Sequence, residues 1–223
     1  MVHLRPLPGS PNFDGDFDSV IAAATTDAEL LAEAGFQGIM VENFGDAPFH
    51  ASDAPKVTIA SLTTAVNAVY DASRLPVGVN VLSGTMYTDQ GPIVGEAAEI
   101  ARLRSQICPN VAILADVFVK HATPPPGLTL TDATNDLIER AGADAVVVSG
   151  VGTGSPADLE QLASVAALSH LPVFVGSGVT RANVNAMLGI ADGAIVGTAI
   201  KVGGVSTGPV DLAAATAFIQ AAL

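Results

Sequence analysis

Apolar residues in this chain fall into short β-branched runs separated by longer Ala- and Leu-rich stretches with a helical period. The runs cover residues 2–7, 38–43, 76–82, 111–120, 144–149, 172–176 and 192–197. The last two, short and β-branched, have the pattern of strands buried on both faces. Between them the spacing predicts helices over 20–34, 58–73, 96–107, 131–141, from about 156 to 168, 180–190 and 211–221. Acidic Asp14, Asp16 and Asp18 suit the positive end of the first helix, and Gly35 suits its stop. Thr131 or Asp132 is the expected cap of the fourth helix. Pro156 is expected at the first position of the fifth.

Seven strands alternating with seven helices imply α/β architecture, a parallel sheet with helices outside it. Polar residues stand at the C-terminal end of nearly every strand, as in a TIM-type (β/α)8 barrel. No Gly-x-Gly-x-x-Gly string follows the first strand, which weighs against an open dinucleotide-binding sheet. A single domain over 1–223 is expected from the length. The last two strands run straight into glycine turns, at Gly176, Ser177 and Gly178 and at Gly197 and Thr198. Glycine brings backbone N–H groups close to a ligand, and turns after the seventh and eighth strands of a barrel commonly hold phosphate. Ordinary strand–helix turns would also use glycine there.

Composition narrows the partners. The 223 residues are 49% hydrophobic and carry a net charge of -13. That charge argues against nucleic acid and against docking on an anionic membrane. It also leaves a bound phosphate to backbone N–H groups and few cations. Cys108 is the only cysteine, so no internal disulfide forms. The N-terminus lacks the basic-then-apolar order of a signal peptide, and no apolar run is long enough to cross a bilayer. A cytoplasmic protein without direct membrane insertion is expected.

Several residues could carry chemistry. Period-two alternation over 111–120 places Leu114, Asp116, Phe118 and Lys120 on one face. Asp116 and Lys120 would then supply a general base and a cation, or a structural ion pair. Glu42 ends the second strand with Asn43 beside it and Asp46 in the loop; these suit proton transfer and substrate hydroxyls, or a loop-capping network around Gly45. Asn80, at the end of the third strand, and Asp89, in the loop after it, are further substrate-binding candidates, and Asp89 could equally form a turn. His121 is placed for acid–base work. His3 either binds substrate or lies at the barrel floor, His50 sits in a solvated loop, and His170 lies on the opposite face. Ser149, Thr153 and Ser177 offer hydroxyls outside any nucleophile elbow. No ligand spacing demands a metal, and no cofactor is expected.

Six strings together resemble one family over nearly the whole chain: HLRPLPGS at 3–10, VENFGDAPF at 41–49, PVGVNV at 76–81, TDQG at 88–91, ADVFVKH at 115–121 and VGSGVT at 175–180. The chain is similar to the BtpA/SgcQ family. The resemblance implies a TIM barrel of the ribulose-phosphate-binding type. It implies two kinds of activity: a factor needed for photosystem I accumulation, and enzymes encoded near sugar-utilisation genes. It also exposes a gap, because members carry a further helix and strand between the PVGVNV strand and the TDQG loop. Here Leu82 runs almost directly into Ser83, which leaves seven strands; such a barrel must close with seven, stay open or borrow an edge, and an open edge invites association, including a homo-oligomer. The expected function is an enzyme on a phosphorylated sugar or related phosphometabolite, with isomerase- or lyase-type proton transfer. The alternative is a non-catalytic assembly factor for a membrane complex.

Overall fold

The structure, a computed structural model, describes residues 1–50, 54–82, 96–119, 124–150 and 156–223. Asp89, Lys120, His121 and Thr153 therefore lie outside the described residues. The chain divides into two compact units, one of Met1–Gly91 with Val196–Leu223 and one of Pro92–Ile195.

The first unit holds strands β1 (Val2–His3), β2 (Ile39–Glu42) and β3 (Val77–Asn80) with helices α1 (Phe17–Ala34), α2 (Lys56–Ser73) and α7 (Leu212–Ala222). The strands form one parallel sheet in the order β1-β2-β3. Expected over 2–7, β1 is only two residues long, because Pro6 and Pro8 have no N–H for a ladder. Leu4 still donates to the Glu42 carbonyl at 2.8 Å, so the chain leaves the sheet just past His3. Helix α1 starts earlier than the pattern predicts, because the Asp16 carboxylate accepts the Ser19 N–H at 3.0 Å and caps it. Gly35, at φ 95°, ends it. Val2, Leu31, Val41, Ala65 and Val69 are buried in the core between sheet and helices.

The second unit holds α3 (Ala97–Ile107), β4 (Leu114–Asp116), α4 (Leu130–Glu139), β5 (Ala145–Ser149), α5 (Leu159–Leu168), β6 (Val173–Gly176), α6 (Val184–Leu188) and β7 (Gly193–Ile195). Its four strands are parallel in the order β4-β5-β6-β7. Thr129, not Thr131 or Asp132, caps α4, accepting the Asp132 N–H at 3.1 Å. The fifth helix begins at Leu159 rather than Pro156, since the Asp158 carboxylate accepts the N–H groups of Glu160 and Gln161. Helix α6 is shorter than predicted, because the Asn183 side chain turns back onto the Thr180 N–H at 2.7 Å and the Gly178 carbonyl at 3.0 Å. Strand β4 covers three residues of the ten expected. Upstream, the Ile113 N–H is taken by the Asp144 carboxylate, which also pairs with Arg104.

Seven strands are described, as the pattern predicts. Among the described residues β3 pairs only with β2, and β4 only with β5. Both edges are poorly covered: Val79 is 51% exposed, and α3 buries no residue at all. These are the elements on either side of the gap that the family resemblance implies.

Candidate functional site

Parallel register brings three polar residues into one row at the C-terminal ends of the first unit's strands. His3 pairs with Glu42 across β1 and β2, and Glu42 with Asn80 across β2 and β3. Asn80 Nδ2 donates to Glu42 Oε1 at 2.7 Å. His3 Nε2 lies 3.6 Å from Glu42 Oε2, and both side chains are under 10% exposed. His3 Nδ1 lies 2.7 Å from the Ser206 carbonyl oxygen, and its ring stacks on Phe44 at 4.6 Å. His3 is thus not a floor residue. It ends its strand and faces the Glu42 carboxylate.

Behind this row a buried network fixes the loop after β2. Asp46 Oδ1 accepts the Leu7 N–H at 2.7 Å and its Oδ2 accepts from Asn43 Nδ2 at 3.2 Å. Asn43 Oδ1 accepts the Leu82 N–H at 2.7 Å. Asn43 and Asp46 therefore tie the exits of β1 and β3 to the loop between them. Gly45 is where that loop touches the first strand's exit. A Cβ there would lie 2.5 Å from Pro6 N and 2.7 Å from Arg5 C, both backbone. Gly45→Ala is expected to cost about 3 kcal/mol or more, at the upper end of overpacking, because backbone yields less than a side chain. Urea unfolding checks it; a loss under about 1 kcal/mol would contradict this contact.

Other groups of the first unit close around His3. Gly197 leaves room for the imidazole, since a Cβ there would sit 3.1 Å from His3 Cε1. Thr198 Oγ1 and Ser206 Oγ are hydrogen-bonded at 2.8 Å. Lys201, 0% exposed in its side chain, donates from Nζ to Asp27 Oδ2 at 2.8 Å, and the Val210 N–H donates to Asp27 Oδ1 at 2.7 Å. In this 223-residue polypeptide the Met1 amine donates to the Val196 carbonyl at 2.8 Å. Burial, aided by the nearby Lys201 ammonium, lowers its pKa from 8.0 to about 5. Between those values the unfolded chain binds a proton that the folded chain does not. This contribution to stability is complete above pH 8.0 and is lost as pH falls toward about 5. NMR titration of a 15N-labelled Met1 should show the midpoint near 5 in the folded chain; an ordinary midpoint near 8 would contradict the burial.

The second unit has a polar cluster of its own. Ser149 Oγ donates to Asp116 Oδ1 at 2.7 Å, from the ends of adjacent strands. Asp116 is exposed where β4 ends, and Phe118, on the face expected to be shared with it, is half-buried; Lys120, the third polar or aromatic member expected on that face, lies outside the described residues. Gly176 accommodates Ser149, as a Cβ there would lie 2.9 Å from its Oγ. Ser177 holds φ at 73°, a conformation that costs a non-glycine residue about 1–2 kcal/mol. Its hydroxyl oxygen is buried, with no hydrogen-bond partner among the described residues. Strain and an unused polar atom at one residue mark this turn as a candidate ligand contact. His50 is exposed, as expected of a solvated loop, and His170 is exposed as well.

The sequence pattern did not single out Ser206, Lys201 or Asp27. Lys201 carried a signal, a lone charge in the apolar run AIKV. Ser206 had none, because its contribution is a backbone carbonyl.

The architecture matches solved TIM-barrel enzymes. Thiamine phosphate pyrophosphorylase from Pyrococcus furiosus aligns with a TM-score of 0.57 and 16% identity, over 89% of this chain and 88% of that one. (S)-3-O-geranylgeranylglyceryl phosphate synthase from Thermoplasma acidophilum, solved with its substrate sn-glycerol-1-phosphate, aligns with a TM-score of 0.57 and 18% identity, over 89% and 86%. The fold class is therefore the TIM barrel, here with seven described strands. Within that class the chain belongs to the BtpA family, whose sequence model matches residues 1–84 and 79–223. The two matched stretches overlap at residues 79–84, where the resemblance implies the gap. An uncharacterised protein of Thermococcus kodakarensis is 47% identical over 90% of this chain and 85% of its own length. The photosystem I biogenesis protein BtpA of Synechocystis is 39% identical over 99% and 86%.

Proposed function

We propose that this protein is an enzyme that binds a phosphorylated sugar or related phosphometabolite and moves a proton on it, as isomerases and lyases do. The observation that carries the reading is the Glu42 carboxylate. It is buried at the end of β2, held by the Asn80 amide and paired with the His3 imidazole. A buried charge is costly, and fixed, paired titratable groups at strand C-termini of this fold class suit general acid–base chemistry. Glu42 is the base of this proposal and Asn80 its holder. Asn43 acts on the loop rather than on substrate.

The Gly176–Gly178 turn, within the second unit, is proposed to take phosphate oxygens, with Ser177 Oγ as one donor. Gly197 and Thr198 are the corresponding polar turn of the first unit. Asp116, with Ser149, is proposed as a further polar contact in the second unit. We place the reaction in the cytoplasm; no described helix is long and apolar enough to cross a membrane.

Thermal shift with inorganic phosphate, sulfate, sn-glycerol 1-phosphate and sugar phosphates tests this reading. Ligand at 100 times its Kd stabilises the folded state by about 2.7 kcal/mol. Ser177→Gly should raise the melting temperature of the ligand-free protein, because it removes backbone strain of about 1–2 kcal/mol and an unsatisfied hydroxyl worth about 1–3 kcal/mol against a glycine cost of about 0.5–1 kcal/mol. The same variant should show a smaller phosphate-induced shift. No shift with any phosphorylated compound would overturn the phosphate assignment.

One finding favours a second reading, assembly of a membrane complex: the cyanobacterial relative is named for photosystem I biogenesis. A non-catalytic assembly role does not need the Glu42 carboxylate as a base, so the variant argued in the Discussion separates the two.

A further inference from the structure

Each ring nitrogen of His3 has a different neighbour. A carbonyl oxygen only accepts hydrogen bonds, so the 2.7 Å contact with Ser206 requires hydrogen on Nδ1. Nε2 then faces Glu42 Oε2 at 3.6 Å with either a lone pair or a second hydrogen. A lone pair set against a carboxylate oxygen in a buried position is repulsive. A proton on Nε2 or on Oε2 makes the same contact attractive. The Asn80 N–H on Glu42 Oε1 favours the ionised carboxylate, which favours an imidazolium beside a carboxylate as the resting pair.

From this geometry we propose that His3 is the proton partner of Glu42, and that the two work as one acid–base unit whose ring orientation is set by the Ser206 carbonyl. This deepens the proposed function and rests on it. The step balances as follows. The substrate class is a phosphorylated α-hydroxycarbonyl compound, whose C–H next to the carbonyl is acidic. Glu42 takes that proton, and the C–H electron pair stays on the substrate as an enediolate. The pair passes from net zero to +1 as the substrate gains one negative charge, and imidazolium is retained beside the new anion. The hydroxyl proton then passes from one enediolate oxygen to the other, and return of the carbon-bound proton from Glu42 to the neighbouring carbon completes the isomerisation and restores the pair. Phe44 stacks on the ring, and Gly197, lacking a Cβ, lets the imidazole lie close against the backbone. Among the described residues, the Met1 amine stands near Glu42, Lys201 and Asp27, and Asp46 lies behind the pair across Asn43.

His3→Asn is the informative variant. Asparagine can keep a donor near the Nδ1 position for Ser206 while deleting Nε2. The experiment follows uptake of solvent deuterium into dihydroxyacetone phosphate and ribulose 5-phosphate across pH, beside the phosphate-induced melting shift. Wild type is expected to show two ionisations, the property of a coupled pair. His3→Asn is expected to exchange at least about 100-fold more slowly, to show one ionisation, and to keep its melting shift. A His3→Asn protein with the wild-type profile and a rate within about threefold would overturn the proposal alone. No exchange by wild type on either compound would instead count against the proposed function. A second measurement does not depend on activity: 15N spectra of the His3 ring. Nδ1 should carry hydrogen, and the Nε2 resonance should move in Glu42→Gln. An Nε2 resonance indifferent to that change overturns the shared proton.

Discussion

Lys201→Met is expected to destabilise the protein by about 3–5 kcal/mol. The ammonium it removes is fully buried and directly bonded to Asp27, itself buried within α1. Without Lys201 the carboxylate keeps one described donor, the Val210 N–H at 2.7 Å, and stays where water cannot solvate it. The ion pair joins α1 to the segment that runs into α7, two parts of the first unit 174 positions apart in sequence. Its loss therefore opens a long-range tie, not a local turn. Removing both charges is a milder change. Asp27→Leu with Lys201→Met should recover much of the loss, because a packed apolar pair avoids the desolvation cost, although the Val210 N–H then lacks its acceptor. Urea unfolding of the three variants measures the coupling. A loss under about 1 kcal/mol for Lys201→Met would contradict the buried pair.

The fold was readable from strand spacing because β-branched runs and Ala-rich helices alternate without interruption. What the pattern could not place were ends set by single hydrogen bonds. Asp158 and Thr129 displaced two helix starts, and Asn183 cut α6 short. In strand β4, alternation over ten residues promised a shared face for Asp116 and Phe118. Three residues of ladder formed, with an Asp144 carboxylate capping the upstream N–H. Glu42 was visible as a carboxylate closing a strand, and Asn80 as a polar end to the next. Their hydrogen bond needed the register. His3 was ambiguous because two prolines shorten β1 and turn an apparent strand beginning into a strand end. The orphan hydroxyl of Ser177 was out of reach, since positive φ at a serine between two glycines leaves no mark in the sequence.

Glu42→Gln is the second large effect. Glutamine keeps the size of the side chain and an oxygen for Asn80, so the fold should survive with a modest change in melting temperature. It cannot accept a proton at working pH. General-base catalysis contributes about 10²–10⁴ in rate, and a loss in that range is expected, with phosphate binding retained. The pairing with His3 changes as well, because the amide no longer offers the imidazole a counter-charge.

The most direct test is deuterium uptake from solvent into phosphorylated α-hydroxycarbonyl compounds, wild type against Glu42→Gln, read by NMR. Uptake by the wild type that falls at least about 100-fold in Glu42→Gln is the predicted result. Equal uptake by the two proteins, or none by a folded wild type that binds the same compounds, would contradict proton transfer at Glu42.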